Sequence, residues 1–139
     1  MIMSQFLQTV SLEVNEHVIR AYAELSEDYN PIHLDPAFAA TTSMGGVIAH
    51  GTMSISLIWQ SLSRTFGASI FESLKLDVRF LKPVRLGETI VAGGRINTDN
   101  PELTEVWVRG DDGSDCIVGT VQLAATNYIN EQEHPYANF

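Results

Sequence analysis

The sequence predicts an α+β fold in which an antiparallel β-sheet wraps around a long buried helix. The helix is predicted over residues 51–66, whose apolar side chains surround its axis and therefore require burial on most sides. The second half of the chain supplies the sheet, because apolar and polar residues alternate there in short segments separated by turns. The chain has no internal repeat and no linker long enough to divide it, so one domain is expected over 1–139.

The part of the chain before the long helix is predicted to hold one strand and two helices. Residues 4–13 alternate loosely, which favours a strand. An asparagine N-cap begins a helix over 15–25. A loop is expected over 26–35, because Pro31 disfavours helix at the residue before it. A proline suited to a first helical turn then begins a short helix over 36–40.

Four strands are predicted after the long helix, and together they indicate an antiparallel meander. Breaks are expected at Pro83 and Gly87, and Asp111 to Gly113 form a typical turn. The last residues, 131–139, are polar and are expected to fray. The predicted strands are 74–80, 89–96, 103–108 and 116–124.

Composition excludes several classes of partner. The formal net charge of −9 argues against nucleic-acid binding and against docking on anionic membranes. No stretch approaches the ~20 apolar residues needed to cross a bilayer, and the N-terminus lacks the features of a signal peptide. Cys116 is the only cysteine and lies in an apolar run, which indicates a core residue. A cytoplasmic protein is therefore expected.

The positive charges are unevenly distributed along this acidic chain. Four of the eight Lys and Arg residues fall within one eleven-residue stretch. They form either a solvated strand face or a local binding site for an anionic ligand. These residues are Lys75, Arg79, Lys82 and Arg85.

The segment that carries chemical groups is the predicted loop, where Asp28 and His33 lie five positions apart around Pro31. Histidine titrates near neutrality, and a carboxylate in a poorly solvated pocket can share proton transfer with it. Two such groups directed at one water could activate it for attack. Two alternatives remain: ordinary turn residues, or a metal site formed with His50, which no C-x-x-C or H-E-x-x-H pattern supports.

Three blocks of sequence indicate a family. Residues 25–39, LSEDYNPIHLDPAFA, resemble the signature of the MaoC-like, (R)-specific enoyl-CoA hydratases. Residues 47–51, VIAHG, are similar to the second block of that family. Residues 79–84, RFLKPV, followed by Gly87 and Glu88, are similar to its later strand-and-turn pattern. The first block is specific, whereas the later two are shared with other hotdog-fold proteins.

The resemblance implies a hotdog fold, a long helix wrapped by an antiparallel sheet, in a homodimer or higher homo-oligomer. It also implies an enzyme that reversibly hydrates a trans-2-enoyl-CoA to a (R)-3-hydroxyacyl-CoA. The expected partner is the acyl-CoA thioester itself. No metal and no organic cofactor is implied, apart from the coenzyme A that belongs to the substrate.

The resemblance also assigns roles to individual residues. Asp28 and His33 match the acid/base pair that holds the water, and Asn30 matches a residue that fixes the loop. Gly51 matches the residue whose backbone N–H polarises the thioester carbonyl, which suits a helix N-terminus with its free donors and positive dipole end. His50 belongs to the second block and is expected to form hydrogen bonds locally at the helix start.

The chain departs from the family at one position of the long helix. Short bacterial hydratases of the family often carry a serine eight positions after the motif glycine, whereas Trp59 stands here, with Ser56 and Ser61 nearby. The indole either narrows the acyl tunnel or is a core aromatic. The alternatives are therefore a dehydratase or hydratase for a branched, dicarboxylic or carrier-protein-bound acyl group, and a non-catalytic thioester-binding hotdog protein.

Overall fold

In the computed structural model, which describes residues 5–123, a five-stranded antiparallel sheet packs against one long helix. The predicted α+β class is therefore confirmed. The predicted fraying of 131–139, residue 4 of the first predicted strand and residue 124 of the last lie outside the described residues. Within the described part, no helix is long and apolar enough to cross a membrane.

The helices follow the sequence pattern closely, with one correction. The long helix has the predicted bounds, and the helix before the predicted loop begins after the N-cap Asn15, whose side chain accepts a hydrogen bond from Val18 N–H. The predicted loop over 26–35 contains a further short helix, because Asn30 caps it and Pro31 occupies its first turn. The helices are α1 (Glu16–Ser26), α2 (Pro31–Leu34), α3 (Pro36–Ala40) and α4 (Gly51–Phe66), with a 3-10 turn at Ala68–Glu72.

The strands have nearly the predicted bounds, but the first is shorter than expected. Its regular pairing begins at Val10, and upstream only isolated contacts continue the edge, such as the hydrogen bond from Leu7 N–H to Gly94 O at 3.0 Å. The strands are β1 (Val10–Glu13), β2 (Leu74–Phe80), β3 (Thr89–Ile96), β4 (Leu103–Arg109) and β5 (Asp115–Leu123).

The predicted four-strand meander is wrong in one connection. The sheet order is β1-β3-β4-β5-β2, so only β3, β4 and β5 follow one another as a meander. β2 pairs with β5, with Phe80 opposite Ile117, and forms the far edge of the sheet. The segment over 81–88 therefore passes from one side of the sheet to the other. Alternation predicts which face of a strand is buried, but it does not specify the neighbouring strand.

The core lies between α4 and the inward face of the sheet. Met53, Leu57, Ile58 and Leu62 of α4 are buried against it, which agrees with a helix that is covered on most sides. Cys116 of β5 is fully buried, and burial raises the pKa of its thiol. The thiol therefore remains protonated as a small core group, as its apolar sequence context predicted.

Candidate active site

Asp28 is positioned by the end of α1. Glu27 adopts a left-handed conformation with φ 56°, which ends the helix, and the N–H of Asp28 donates to Ala23 O at 3.2 Å. The chain therefore leaves α1 at Glu27, and Asp28 lies in the short segment between α1 and α2.

Asn30 connects the two predicted catalytic residues. Its backbone N–H donates to Asp28 Oδ1 at 3.2 Å, and its side-chain Oδ1 accepts from Ile32 N–H at 3.0 Å. The first bond orients the carboxylate, and the second caps α2, the helix that carries His33. This arrangement suits the role that the family resemblance assigns to Asn30.

His33 faces Asp28 through one ring nitrogen. Its Nδ1–H donates to Ile48 O at 2.7 Å, because a carbonyl oxygen can only accept. Nε2 then lies 3.9 Å from Asp28 Oδ2. That separation is too long for a direct hydrogen bond, but a water oxygen fits at ~2.8 Å from both atoms. The pair is therefore shaped to hold one water between an imidazole nitrogen and a carboxylate oxygen.

The two members of this pair have different exposure. The side chain of His33 is 11% exposed, whereas that of Asp28 is 50% exposed. The poorly solvated carboxylate expected from sequence is therefore not found in the single chain. Any proton transfer at this site therefore depends on the geometry of the pair and not on burial of Asp28.

His50 contacts both members of the Asp28 and His33 pair. It is 1% exposed, and its Nε2–H donates to the backbone oxygen of Asp28 at 3.0 Å. Its ring stacks on His33 with centroids 3.8 Å apart and contacts Tyr22 from another side. The prediction of a local hydrogen bond at the start of α4 is wrong, because the side chain reaches back to Asp28 and does not cap the helix. His50 therefore connects the two loop residues to α4.

A metal site is disfavoured by the orientation of the two imidazoles. Asp28, His33 and His50 bring ligand atoms within 4.8 Å of one another. However, the rings are stacked with only 28° between their planes, so their in-plane lone pairs run side by side and do not converge on one ion. One nitrogen of each ring is also engaged with a backbone oxygen.

Gly51 and His33 line the same cavity, of about 320 Å³, at the start of α4. As the first residue of the helix, Gly51 has an N–H without an intrahelical acceptor, at the positive end of the helix dipole. The polar side chains on the wall are those of His33, Ser54 and Lys82. The apolar wall includes Met44, Ile48, Ala49, Phe80, Val84 and Ile117. This combination suits a ligand with an apolar chain and one polar acceptor.

The predicted basic binding site is not formed by all four residues. Lys82 lines the cavity with His33, and its Nζ also lies 3.4 Å from Asp112 Oδ1. Lys75 and Arg79 line separate grooves, since both project from the face of β2 opposite to Phe80. Arg85 lies beside Gly46. Among the four, only Lys82 therefore remains a candidate for contacting a ligand in this cavity.

Of the two interpretations of Trp59, a residue that narrows the acyl tunnel or a core aromatic, its position favours the second. Trp59 does not line the cavity that contains His33 and Gly51. Its ring packs against the core and meets Phe71 edge-on, with centroids 5.6 Å apart. The core-aromatic interpretation therefore describes Trp59. The nearby Ser61 hydroxyl donates to Gln8 O, away from the pair.

Sequence reasoning missed two contributors to the site. Ile48 acts through its backbone oxygen, which fixes the tautomer of His33, and a backbone contact of this kind leaves no mark in the sequence. Phe80 contributes its ring to the cavity wall. The alternation that predicted β2 also places Phe80 on the helix-facing side of the strand. The sequence pattern could therefore have identified Phe80 as a residue near the site.

The fold and the site define a class of protein. A long helix packed on a five-stranded antiparallel sheet is the hotdog fold of the solved (R)-hydratase structures. Residues 2–124 match the family model described as MaoC like domain. The chain belongs to this family, as its sequence blocks predicted.

Individual relatives agree with this assignment. The chain is 40% identical over 74 residues to an (R)-specific enoyl-CoA hydratase of Aeromonas caviae, an alignment that covers 53% of this chain and 55% of the relative. The chain therefore matches about half the length of that curated relative. The solved structure of the (R)-hydratase from A. caviae superimposes with a TM-score of 0.70 at 28% identity, covering 89% of this chain and 98% of the other. An R-hydratase from Pseudomonas aeruginosa gives 0.73 at 25% identity, with coverages of 88% and 81%.

Proposed function

We propose that this protein catalyses the reversible addition of water to a trans-2-enoyl-CoA, which yields a (R)-3-hydroxyacyl-CoA. The observation that carries the proposal is the 3.9 Å separation of His33 Nε2 and Asp28 Oδ2, with His33 and Gly51 on the wall of one cavity. The (R) configuration is proposed from the relatives, whose names specify it.

In the proposed reaction, the thioester carbonyl accepts a hydrogen bond from the Gly51 N–H, and the water lies between Asp28 and His33. The water oxygen forms a bond to C3 while one partner of the pair accepts its proton. The C2=C3 π electrons move toward C2 and the carbonyl, and the Gly51 N–H stabilises the negative charge on the oxygen. The pair then delivers one proton to C2, so that the elements of one water are added in total.

The tautomer of His33 is suited to this role. Because Nδ1–H is held by Ile48 O, Nε2 is the nitrogen that exchanges a proton with the water. Asp28 and His33 face the same water position, so the roles of acid and base are assigned to the pair and not to one residue. The reaction itself needs no metal and no organic cofactor beyond the coenzyme A of the substrate.

The proposal is tested with a panel of acyl thioesters. Crotonyl-CoA hydration is followed by loss of enone absorbance, and chiral chromatography identifies the 3-hydroxy product. We expect turnover with formation of the (R) product. Thioester binding without hydration across CoA and carrier-protein substrates would identify a binding protein instead, and release of free thiol would identify a thioesterase.

Lys82 is expected to contact the phosphates of coenzyme A at the mouth of the cavity. Replacement of Lys82 with glutamate is expected to raise KM for crotonyl-CoA and leave kcat nearly unchanged, because a phosphate contact binds the ground state and the transition state equally. The Ser114 hydroxyl and amide hydrogen-bond Asp112 and lower its pKa to about 2, so Asp112 is charged at neutral pH and competes for Lys82.

Lys75→Glu serves as the matched control, since Lys75 lines a different groove. It changes net charge by the same amount and is expected to leave KM at the wild-type value. Equal effects of the two variants would assign the change to overall charge and remove Lys82 from the binding site.

Assembly into a homodimer or higher oligomer and a cytoplasmic location remain proposals. Within the described residues β2 is an edge strand, and this edge together with the exposed side chain of Leu81 supports assembly, because an unpaired strand edge is a template for another chain. Sedimentation equilibrium that gave a monomer at working concentration would exclude it.

A further inference from the structure

The ring of Phe80 lies directly against the residue proposed to bind the thioester carbonyl. A Cβ added to Gly51 would lie only 2.7 Å from Phe80 Cε1 and 3.1 Å from Cζ. The glycine therefore admits the edge of the ring into van der Waals contact with its Cα. Gly51 and Phe80 both line the cavity that also contains His33.

The backbone holds Phe80 firmly, while its ring projects beyond the folded core. Phe80 pairs with Ile117 at the last position of β2, and the following Leu81 N–H donates to Cys116 O at 2.8 Å. Yet the side chain of Phe80 is 58% exposed. A large aromatic residue that is fixed by its backbone, more than half exposed and adjacent to a cavity is typical of a ligand contact.

We propose that Phe80 determines which acyl groups this site accepts by excluding substituents at C2 of the thioester. The inference rests on the proposed function, because it places the carbonyl oxygen at the Gly51 N–H. C2 is bonded to the carbonyl carbon, so it is held next to that amide and therefore beside the ring of Phe80. An unbranched acyl chain fits beside the edge of the Phe80 ring, whereas a methyl group on C2 clashes with it.

The dimensions of the cavity agree with a short, unbranched acyl group. Its volume of about 320 Å³ lies at the lower end of the roughly 300–1,000 Å³ usual for small-molecule sites. The wall also contains aliphatic side chains such as Met44, Val84 and Ile117, which suit a short alkyl chain. Among acyl-CoA substrates, the site therefore favours crotonyl-CoA over 2-methyl-branched analogues.

The test compares crotonyl-CoA with its 2-methyl analogue, tiglyl-CoA, in the wild type and in Phe80→Ala. The wild type is expected to prefer crotonyl-CoA. Phe80→Ala is expected to raise the ratio of kcat/KM for tiglyl-CoA to that for crotonyl-CoA by about tenfold or more, the range by which one methyl group is discriminated in an apolar pocket. Phe80→Leu, which retains part of the apolar volume, is expected to give an intermediate ratio and provides a second variant if the alanine variant folds poorly.

Phe71→Ala is the matched control, because Phe71 is also an exposed phenylalanine, at 42%, and contacts Trp59 outside the cavity. Its ratio is expected to equal that of the wild type. A ratio that stays unchanged in folded Phe80→Ala and Phe80→Leu, or a wild type that hydrates tiglyl-CoA as well as crotonyl-CoA, would overturn the proposal.

Binding of saturated thioesters separates this inference from the proposed reaction. Butyryl-CoA and 2-methylbutyryl-CoA cannot be hydrated, and their Kd values are measured by calorimetry. Phe80→Ala is expected to improve the relative affinity for the branched thioester by about tenfold, even if no substrate is turned over. An unchanged affinity ratio together with normal crotonyl-CoA hydration would reject the role of Phe80 and retain the proposed function.

Discussion

Replacement of Asp28 with asparagine is expected to lower kcat for crotonyl-CoA hydration by about 100- to 10,000-fold, the usual contribution of a positioned general acid or base. The amide has the shape of the carboxylate and can still accept the hydrogen bond from Asn30 N–H. It cannot accept a proton from the water. His33→Gln is expected to cause a similar loss, because it removes Nε2 as a proton-exchanging group opposite Asp28.

The combined variant tests whether the two residues act as one unit. If they hold the same water, removing the second member after the first has little further effect, and the losses are strongly non-additive. Additive losses would indicate two independent sites of proton transfer. Asp99→Asn, the same substitution at an exposed loop position, is the control and is expected to have wild-type kcat. A folded Asp28→Asn protein with wild-type kcat would remove the pair from the mechanism.

Replacement of Gly51 with proline is expected to lower kcat by about 100- to 1,000-fold, which is the usual loss when one hydrogen-bond donor to an oxyanion is removed. Proline lacks the N–H, yet it suits the first position of a helix. His50, with φ −61° and ψ 130°, already has the extended conformation that a residue before proline prefers. The substitution therefore removes the proposed donor at a position where α4 can still form.

Gly51→Ala provides the control for added bulk. Both variants place a Cβ against the ring of Phe80, but only alanine keeps the N–H. The difference in kcat between the two variants therefore measures the donor itself. Thermal unfolding shows whether both variants are folded. If both unfold cooperatively and have equal kcat, the Gly51 N–H has no part in stabilising the transition state.

The sequence predicts the local parts of this site well. Asp28, Asn30 and His33 lie within one turn-rich segment, and the hydrogen bonds that join them span only two or three positions. Asn-Pro before a short helix specifies such a turn by its own chemistry. The bounds of α4 follow in the same way, from an apolar surface that begins after Gly51.

The parts that the sequence does not predict depend on contacts between distant segments. His50 reaches Asp28 across 22 positions, and Ile48 O holds His33 across 15, so both contacts exist only after α4 is packed in place. Conversely, basic residues that are close in the sequence lie apart in the structure. Lys75 and Arg79 are close to Lys82 in the chain, but alternation along β2 directs them to the other face of the sheet.

The connection from β2 to β3 has a consequence for how the protein can vary. Because β4 and β5 lie between β2 and β3 in the sheet, the segment over 81–88 must pass the β4–β5 turn. There Lys82 forms an ion pair with Asp112, and Thr89 N–H donates to Asp111. Most of this segment lies outside the strand ladder, yet its first four residues border the cavity. Substrate preference can therefore be re-engineered at Leu81, Lys82 and Pro83 while strand register and core packing, which set the melting temperature, are left intact.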